Sequence, residues 1–251
     1  MTATSRGTAR FLWASVSVVF VETIITGLAL APAVLFIHWQ STWPLSTWIR
    51  LTLASLAFAP VYLVCAVSLM AYSALATRAL GWRTPANVEL PLREFSWPVL
   101  DWGRYLMTIH VVRVFAGPAF RSTTIWNWYM RLNGARLGHD VWVNSLSLMD
   151  HNLLDFADGV VIGSDAHVSG HVVEHGVLKT AHVRLGRNTL IGIGSVVGIG
   201  VESGDGVQVG ALWGSRQLHG HFYDVTSADA AASRPARERA KRDLLALLLG
   251  I

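Results

Sequence analysis

The sequence predicts a membrane α-helical hairpin followed by an all-β parallel solenoid. Three observations lead there. Residues 11–37 are almost wholly apolar, and so are residues 48–75. Each run exceeds the roughly 20 residues needed to cross a bilayer. Across residues 185–214 an aliphatic or small residue followed by glycine recurs every six positions: Leu185-Gly186, Ile191-Gly192, Val197-Gly198, Ser203-Gly204 and Val209-Gly210. A six-residue period means one short strand and one tight corner per unit. Three units close one triangular coil of about 18 residues, and stacked coils make a parallel β-helix.

Composition supports the hairpin. The chain is 52% hydrophobic and 14% charged, too apolar for an ordinary soluble domain. The first apolar run is interrupted by Glu22; the second has Arg50 near its start and no later Asp, Glu, Lys or Arg. A signal peptide fits the first run poorly, since it is too long and no polar mature sequence follows. Residues 38–47 carry Trp39 and Trp43, as in an interfacial aromatic belt. Arg6 and Arg10 precede the first run, and Arg78, Arg83 and Arg93 follow the second, while 38–47 holds no Lys or Arg. The positive-inside rule then expects an integral inner-membrane protein with both termini and the solenoid cytoplasmic. Glu22, an ionisable group inside a span, is expected to stay protonated or to hydrogen-bond across the hairpin or an oligomer interface. The single cysteine, Cys65, lies within the second run, so there is no disulfide framework.

Net charge is +4, with 18 arginines. On a membrane protein this points to anionic lipid head groups or an anionic carrier or cofactor. No zinc-finger or P-loop motif points to nucleic acid.

Four segments follow: a transmembrane helical hairpin (1–80), amphipathic linker helices (81–134), a β-helix (135–215) and a C-terminal tail with a short helix (216–251). The linker mixes Trp82, Trp97, Trp102, Trp126 and Trp128 with Arg104, Arg113, Arg121 and Arg131. Residues 101–115 read as a helix with Trp102, Leu106, Ile109, Val112 and Arg113 toward one side. Such a helix either lies in the membrane interface or caps the open end of the solenoid. Earlier six-residue spacings extend the coils: Leu137, Val143 and Met149, then Phe156, Ile162 and Val168. The phase slips by one residue between Met149 and Phe156. It breaks outright across 169–182, a stretch with His171, His175 and His182. Insertions leave a solenoid wall as loops that often carry function.

The glycine-marked hexads resemble the left-handed β-helix of hexapeptide-repeat acyltransferases. Arg131, Gly134, Ala135 and Gly138 are similar to the R-x-x-G-A-x-x-G entry of the C-terminal β-helix domains of poly-lysine-synthetase-like nonribosomal peptide synthetases. The similarity continues through Asn152-Leu153-Leu154, His171-Val172-Val173-Glu174 and Gly176-Val177-Leu178-Lys179. The resemblance implies a left-handed parallel β-helix and a homotrimer that completes its sites between subunits. It implies transfer of an acyl or aminoacyl group to an amine or hydroxyl. The donor would be a coenzyme A or phosphopantetheine thioester, supplied by a separate carrier protein or adenylating enzyme. His171 would serve as general base near neutral pH, and Glu174 would orient its imidazole or bind an ammonium group. His175, Lys179 and Asn152 would contact substrate. Asn152 stands where that family commonly has an acid, and Trp213-Gly214-Ser215-Arg216-Gln217 replaces its W-x-G-x-P-A ending.

Two other readings accompany this one. The chain could be a non-catalytic membrane assembly subunit that trimerises through the β-helix. It also faintly resembles gamma-class carbonic anhydrases, which bind zinc through three histidines across a trimer interface. Their ligand pair is usually five residues apart, and the matching position here is Thr180, so no metal ligand is assigned.

Overall fold

The computed structural model describes residues 3–211; the expected tail helix, the region 212–217 and His219-Gly220-His221 lie outside the described residues. In chain order the elements are α1 (Ala3–Ser41), α2 (Thr47–Leu80), β1 (Glu89–Pro91), α3 (Trp97–Phe115), α4 (Gly117–Phe120), α5 (Thr124–Leu132), β2 (Arg136–Leu137), β3 (Trp142–Val143), β4 (Leu154–Phe156), β5 (Val161–Ile162), β6 (His167–Val168), β7 (His171–Glu174), β8 (Val177–Thr180), β9 (Val183–Leu185), β10 (Leu190–Ile191), β11 (Val196–Val197) and β12 (Gln208–Val209).

α1 and α2 form an antiparallel pair, and both are long and apolar enough to cross a membrane. Ser46 opens α2 by accepting from Ile49 N–H, and Gly81 ends it in the left-handed conformation that a helix terminus favours. The pair exposes a broad apolar surface, including Phe20, Val34, Leu35, Leu56 and Phe58. That surface suits lipid. The helices run further than the apolar runs suggest. At 1.5 Å per residue, the 34 residues of α2 extend about 51 Å, well past a hydrocarbon core of about 30 Å. One face of the last turns of α2, with Ser73, Ala74 and Thr77, is instead buried in protein. Ser73 Oγ lies 3.2 Å from Tyr129 Oη, and Thr77 Oγ1 donates to Asn133 Oδ1 at 3.2 Å.

α3 covers residues 101–115 and contacts both the two long helices and the strand region. It packs along α1 and α2, with Ile109 and Val112 buried, and Tyr62 Oη of α2 donates to Phe115 O at 2.9 Å. Thr108 of α3 sits beside Glu22, whose carboxyl oxygens are enclosed between the helices. α5 packs against the start of the strand region. Its Trp126, Tyr129 and Met130 are fully buried, and Asn127 Nδ2 donates to Val141 O at 2.7 Å where the strands begin.

Beyond α5 come very short strands in three parallel ladders. One joins β3, β5, β10 and β12 through Val143, Ile162, Ile191 and Val209. A second joins β2, β4 and β9 through Leu137, Phe156 and Leu185. The third pairs β6 with β11 through Val168 and Val197, and Leu148 extends it. Those apolar residues fill the core, with Leu137 packed against its margin. One residue departs from the expected spacing. Leu148, not Met149, points inward, five residues after Val143 and eight before Phe156, so the spacing is irregular on both sides of it. The parity of a strand then turns Met149 outward, against α3.

The break across 169–182 is not a loop. It is a β-hairpin, β7 and β8, in antiparallel register from His171↔Thr180 to Glu174↔Val177. His175 and Gly176 form its two-residue turn at φ 50° and 78°, the left-handed pair that such a turn demands. β1 adds a third strand on β8, pairing Leu90 with Leu178. The linker that follows the two long apolar helices therefore holds the hairpin within its own chain.

Candidate active site

His171 opens β7, and its Nδ1 lies 2.5 Å from Asp150 Oδ2. The Asp150 side chain is fully buried, whereas that of His171 keeps 19% of its exposure. The carboxylate is thus sealed in and the imidazole remains reachable. Asp150 has φ 56°, a left-handed conformation that aspartate tolerates better than most residues. Its oxygens are further satisfied by Thr84 Oγ1, which donates to Oδ1 at 2.6 Å, and by Gly170 N–H, which donates to Oδ2 at 3.1 Å. A buried carboxylate needs such partners. With Asp150 accepting from Nδ1–H, the Nε2 lone pair of His171 is left to take a proton. Trp102 of α3 sets the ring, edge-on at 5.0 Å between centroids.

Gly170 permits the approach. A Cβ there would meet Leu153 Cβ at 2.9 Å and Asp150 Cβ at 3.1 Å. Gly170→Ala should cost about 1–3 kcal/mol through overpacking and part the carboxylate from the imidazole. Thermal unfolding of the variant checks this; an unchanged midpoint would show that the segment has room to spare.

The structure places the other expected site residues elsewhere. Glu174 does not orient the imidazole; Asp150 does. Glu174 lies three residues along a strand from His171, on its opposite face, and pairs with Lys179 at 3.4 Å. Lys179 is engaged in that pair rather than aimed at His171. His175 is the exposed turn residue of the hairpin. Asn152 clamps the linker: its Nδ2 donates to Thr84 O at 2.8 Å, and its Oδ1 accepts from Thr84 N–H at 3.3 Å. Asn152, Arg83, Thr84, Asp101 and His182 line a cleft of about 730 Å³. A smaller one of about 280 Å³ adjoins it across Arg136, Asp155 and Arg184. Thr84, which donates to Asp150, lines the larger cleft, and His171 lines neither. Among the described residues, no three His, Cys, Asp or Glu side chains gather as metal ligands.

Sequence reasoning missed Asp150, Thr84 and Trp102. It also gave no role to His151, which is fully buried between Trp126 and Tyr129. Burial pulls its imidazole down to about 4, with the Asp150 carboxylate opposing and Arg113 reinforcing. The unfolded chain therefore takes up this proton first. The stability held by neutral His151 is complete above pH about 6.5 and is lost as pH falls toward about 4, by roughly 3 kcal/mol at most. His151→Leu should flatten the stability curve over that window. Denaturant midpoints at pH 4.5 and 7.5 measure it, and a variant as pH-sensitive as the parent would refute the assignment. His167, half-buried on β6, is also pushed below the ordinary range, by burial first and then by the neighbouring His171 and Arg113.

No family model matches the chain, and no solved structure matches it. The delta-poly-L-ornithine synthetase of Acinetobacter baumannii (strain AB307-0294) is 35% identical over 101 residues, covering 40% of this chain and 7% of that protein. Part of the chain is therefore distantly homologous to a synthetase enzyme, of whose length it spans a small fraction.

Proposed function

We propose that this chain is a membrane-anchored acyltransferase that moves an acyl or aminoacyl group from a thioester to an amine, with a hydroxyl as a second acceptor class. The Asp150–His171 contact carries the reading: a buried carboxylate holding a reachable imidazole is the arrangement of a general base. His171 Nε2 takes the proton of the attacking amine as the C–N bond forms. Asp150 stabilises the resulting imidazolium. The C–S bond then breaks, and His171 returns the proton to the departing thiolate, leaving amide and thiol. Partial similarity to a poly-ornithine synthetase supports amide formation as the outcome.

The same reading takes the three ladders as the walls of a left-handed β-helix. The step from Leu190 to Gln208 is one coil, and the β7–β8 hairpin is an insertion in another. Trp142, Leu190 and Ile193 are exposed on the outer side of these coils, and we assign that side to a homotrimer contact. Both termini and the site face the cytoplasm, in keeping with the arginine distribution. The donor is a coenzyme A or phosphopantetheine thioester delivered by a carrier protein or adenylating enzyme.

The test supplies acetyl, longer acyl and aminoacyl thioesters with amine acceptors. It follows thiol release and identifies the amide by mass. Thiol release that requires both acceptor and His171 supports the reading. Absence of release with every donor would favour a non-catalytic assembly subunit, for which the exposed apolar side of the coils is the supporting observation.

A further inference from the structure

Arg113 lies in the last turn of α3, half-buried. Its Nε is shielded from solvent and has no acceptor. Its Nη1 meets Met149 Sδ at 3.2 Å, and a thioether is a weak acceptor. The ion pairs of the described residues engage other cations and leave Arg113 without a carboxylate. A half-buried guanidinium with a shielded Nε and no carboxylate beside it has donors free for an anion. Its surroundings are those of the dyad. Met149 precedes Asp150, and Met149 N–H donates to Val168 O at 2.8 Å, next to His167. The charges of Arg113 and His171 both act on His167. Trp102 and Arg113 are eleven residues apart, about three helical turns, so they share one face of α3. Trp102 meets His171 on that face and Arg113 meets Met149.

We propose that Arg113 binds a carboxylate of the acceptor and sets the acceptor's amine against His171. The acceptor is then an amino acid and not a simple amine. A guanidinium receives a carboxylate through two parallel N–H donors, which fixes orientation as well as position. This inference rests on His171 acting as the base.

The full-length protein in detergent is titrated with ornithine, ornithine methyl ester and putrescine, and with inorganic phosphate as a control anion. Thermal stabilisation reads binding independently of transfer. Ornithine should bind at least about tenfold more tightly than the ester or putrescine, as expected for a charge-assisted pair. Arg113→Gln should remove that preference, Arg113→Lys should keep part of it, and the ornithine-to-putrescine ratio of kcat/KM should fall toward one in Arg113→Gln. Equal binding of ornithine and putrescine by the parent would overturn the inference. So would an equal loss for both in Arg113→Gln, or stabilisation by phosphate that matches ornithine and depends on Arg113. Carboxylate-dependent binding without thiol release would uphold the Arg113 site and defeat the acyltransferase reading. Thiol release with ornithine and putrescine alike would do the reverse.

Discussion

Asp150→Asn should lower the transfer rate by a factor on the order of 10²–10⁴ while leaving the fold in place. The amide is nearly isosteric, and its oxygen can still accept from Thr84 at the Oδ1 position. Its charge is lost, however, and with it the group that stabilises the imidazolium once His171 has taken a proton. The Oδ2 position suffers more, because it now accepts from Gly170 N–H and faces His171 Nδ1. An NH₂ there cannot accept from either. His171→Ala should lose at least as much rate, and added imidazole should restore part of it. Glu174→Gln should leave the rate within about twofold, since that side chain is exposed and paired with Lys179. Rates are compared per folded protein, with circular dichroism and size-exclusion profiles alongside. Full activity in Asp150→Asn would remove the dyad from the mechanism.

The second large effect is on stability. Trp126→Ala should destabilise the protein by about 3–5 kcal/mol, the usual range for emptying a large buried aromatic site. Trp126 is fully buried, with Tyr129 at 5.4 Å and His151 at 6.4 Å between ring centroids. It belongs to the core shared with the strands and packs against His151, the residue after Asp150. Trp128, two residues on, is 65% exposed, and Trp128→Ala should cost under about 0.5 kcal/mol by the rule for surface positions. Denaturant unfolding of the pair measures the difference. Equal costs would mean that α5 does not pack against the strands.

The hairpin helices and the inward aliphatic residues from Phe156 onward were readable because each follows from periodicity, a local property of the chain. The misplacement of Met149 shows where that fails. Met149 fits the six-residue count from Val143 and Leu148 does not, yet Leu148 is the inward residue and Met149 meets Arg113 of α3 on the outside. The candidate site was half readable. His171 stood out because it sits where the period breaks. Asp150 did not, because an aspartate after an ordinary methionine carries no motif. Thr84 and Trp102 approach from 66 and 69 residues upstream and belong to a linker that reads as membrane-facing. Glu174 looked like the orienting acid because it is near in sequence. On a strand, residues three apart face opposite ways, so nearness in sequence pointed to the wrong carboxylate.

The pairing of β1 with β8 bears on how this protein can be cut. Thr180 N–H donates to Val88 O at 3.0 Å, and Thr180 Oγ1 donates to Pro85 O at 2.7 Å. A fragment starting at the first ladder strand would strip these partners away. It would present the bare edge of β8 as a template for intermolecular pairing. The same cut removes Thr84 from Asp150. The strand region is therefore not a portable module, and a graft into another protein has to begin at or before Gly81, with the linker attached.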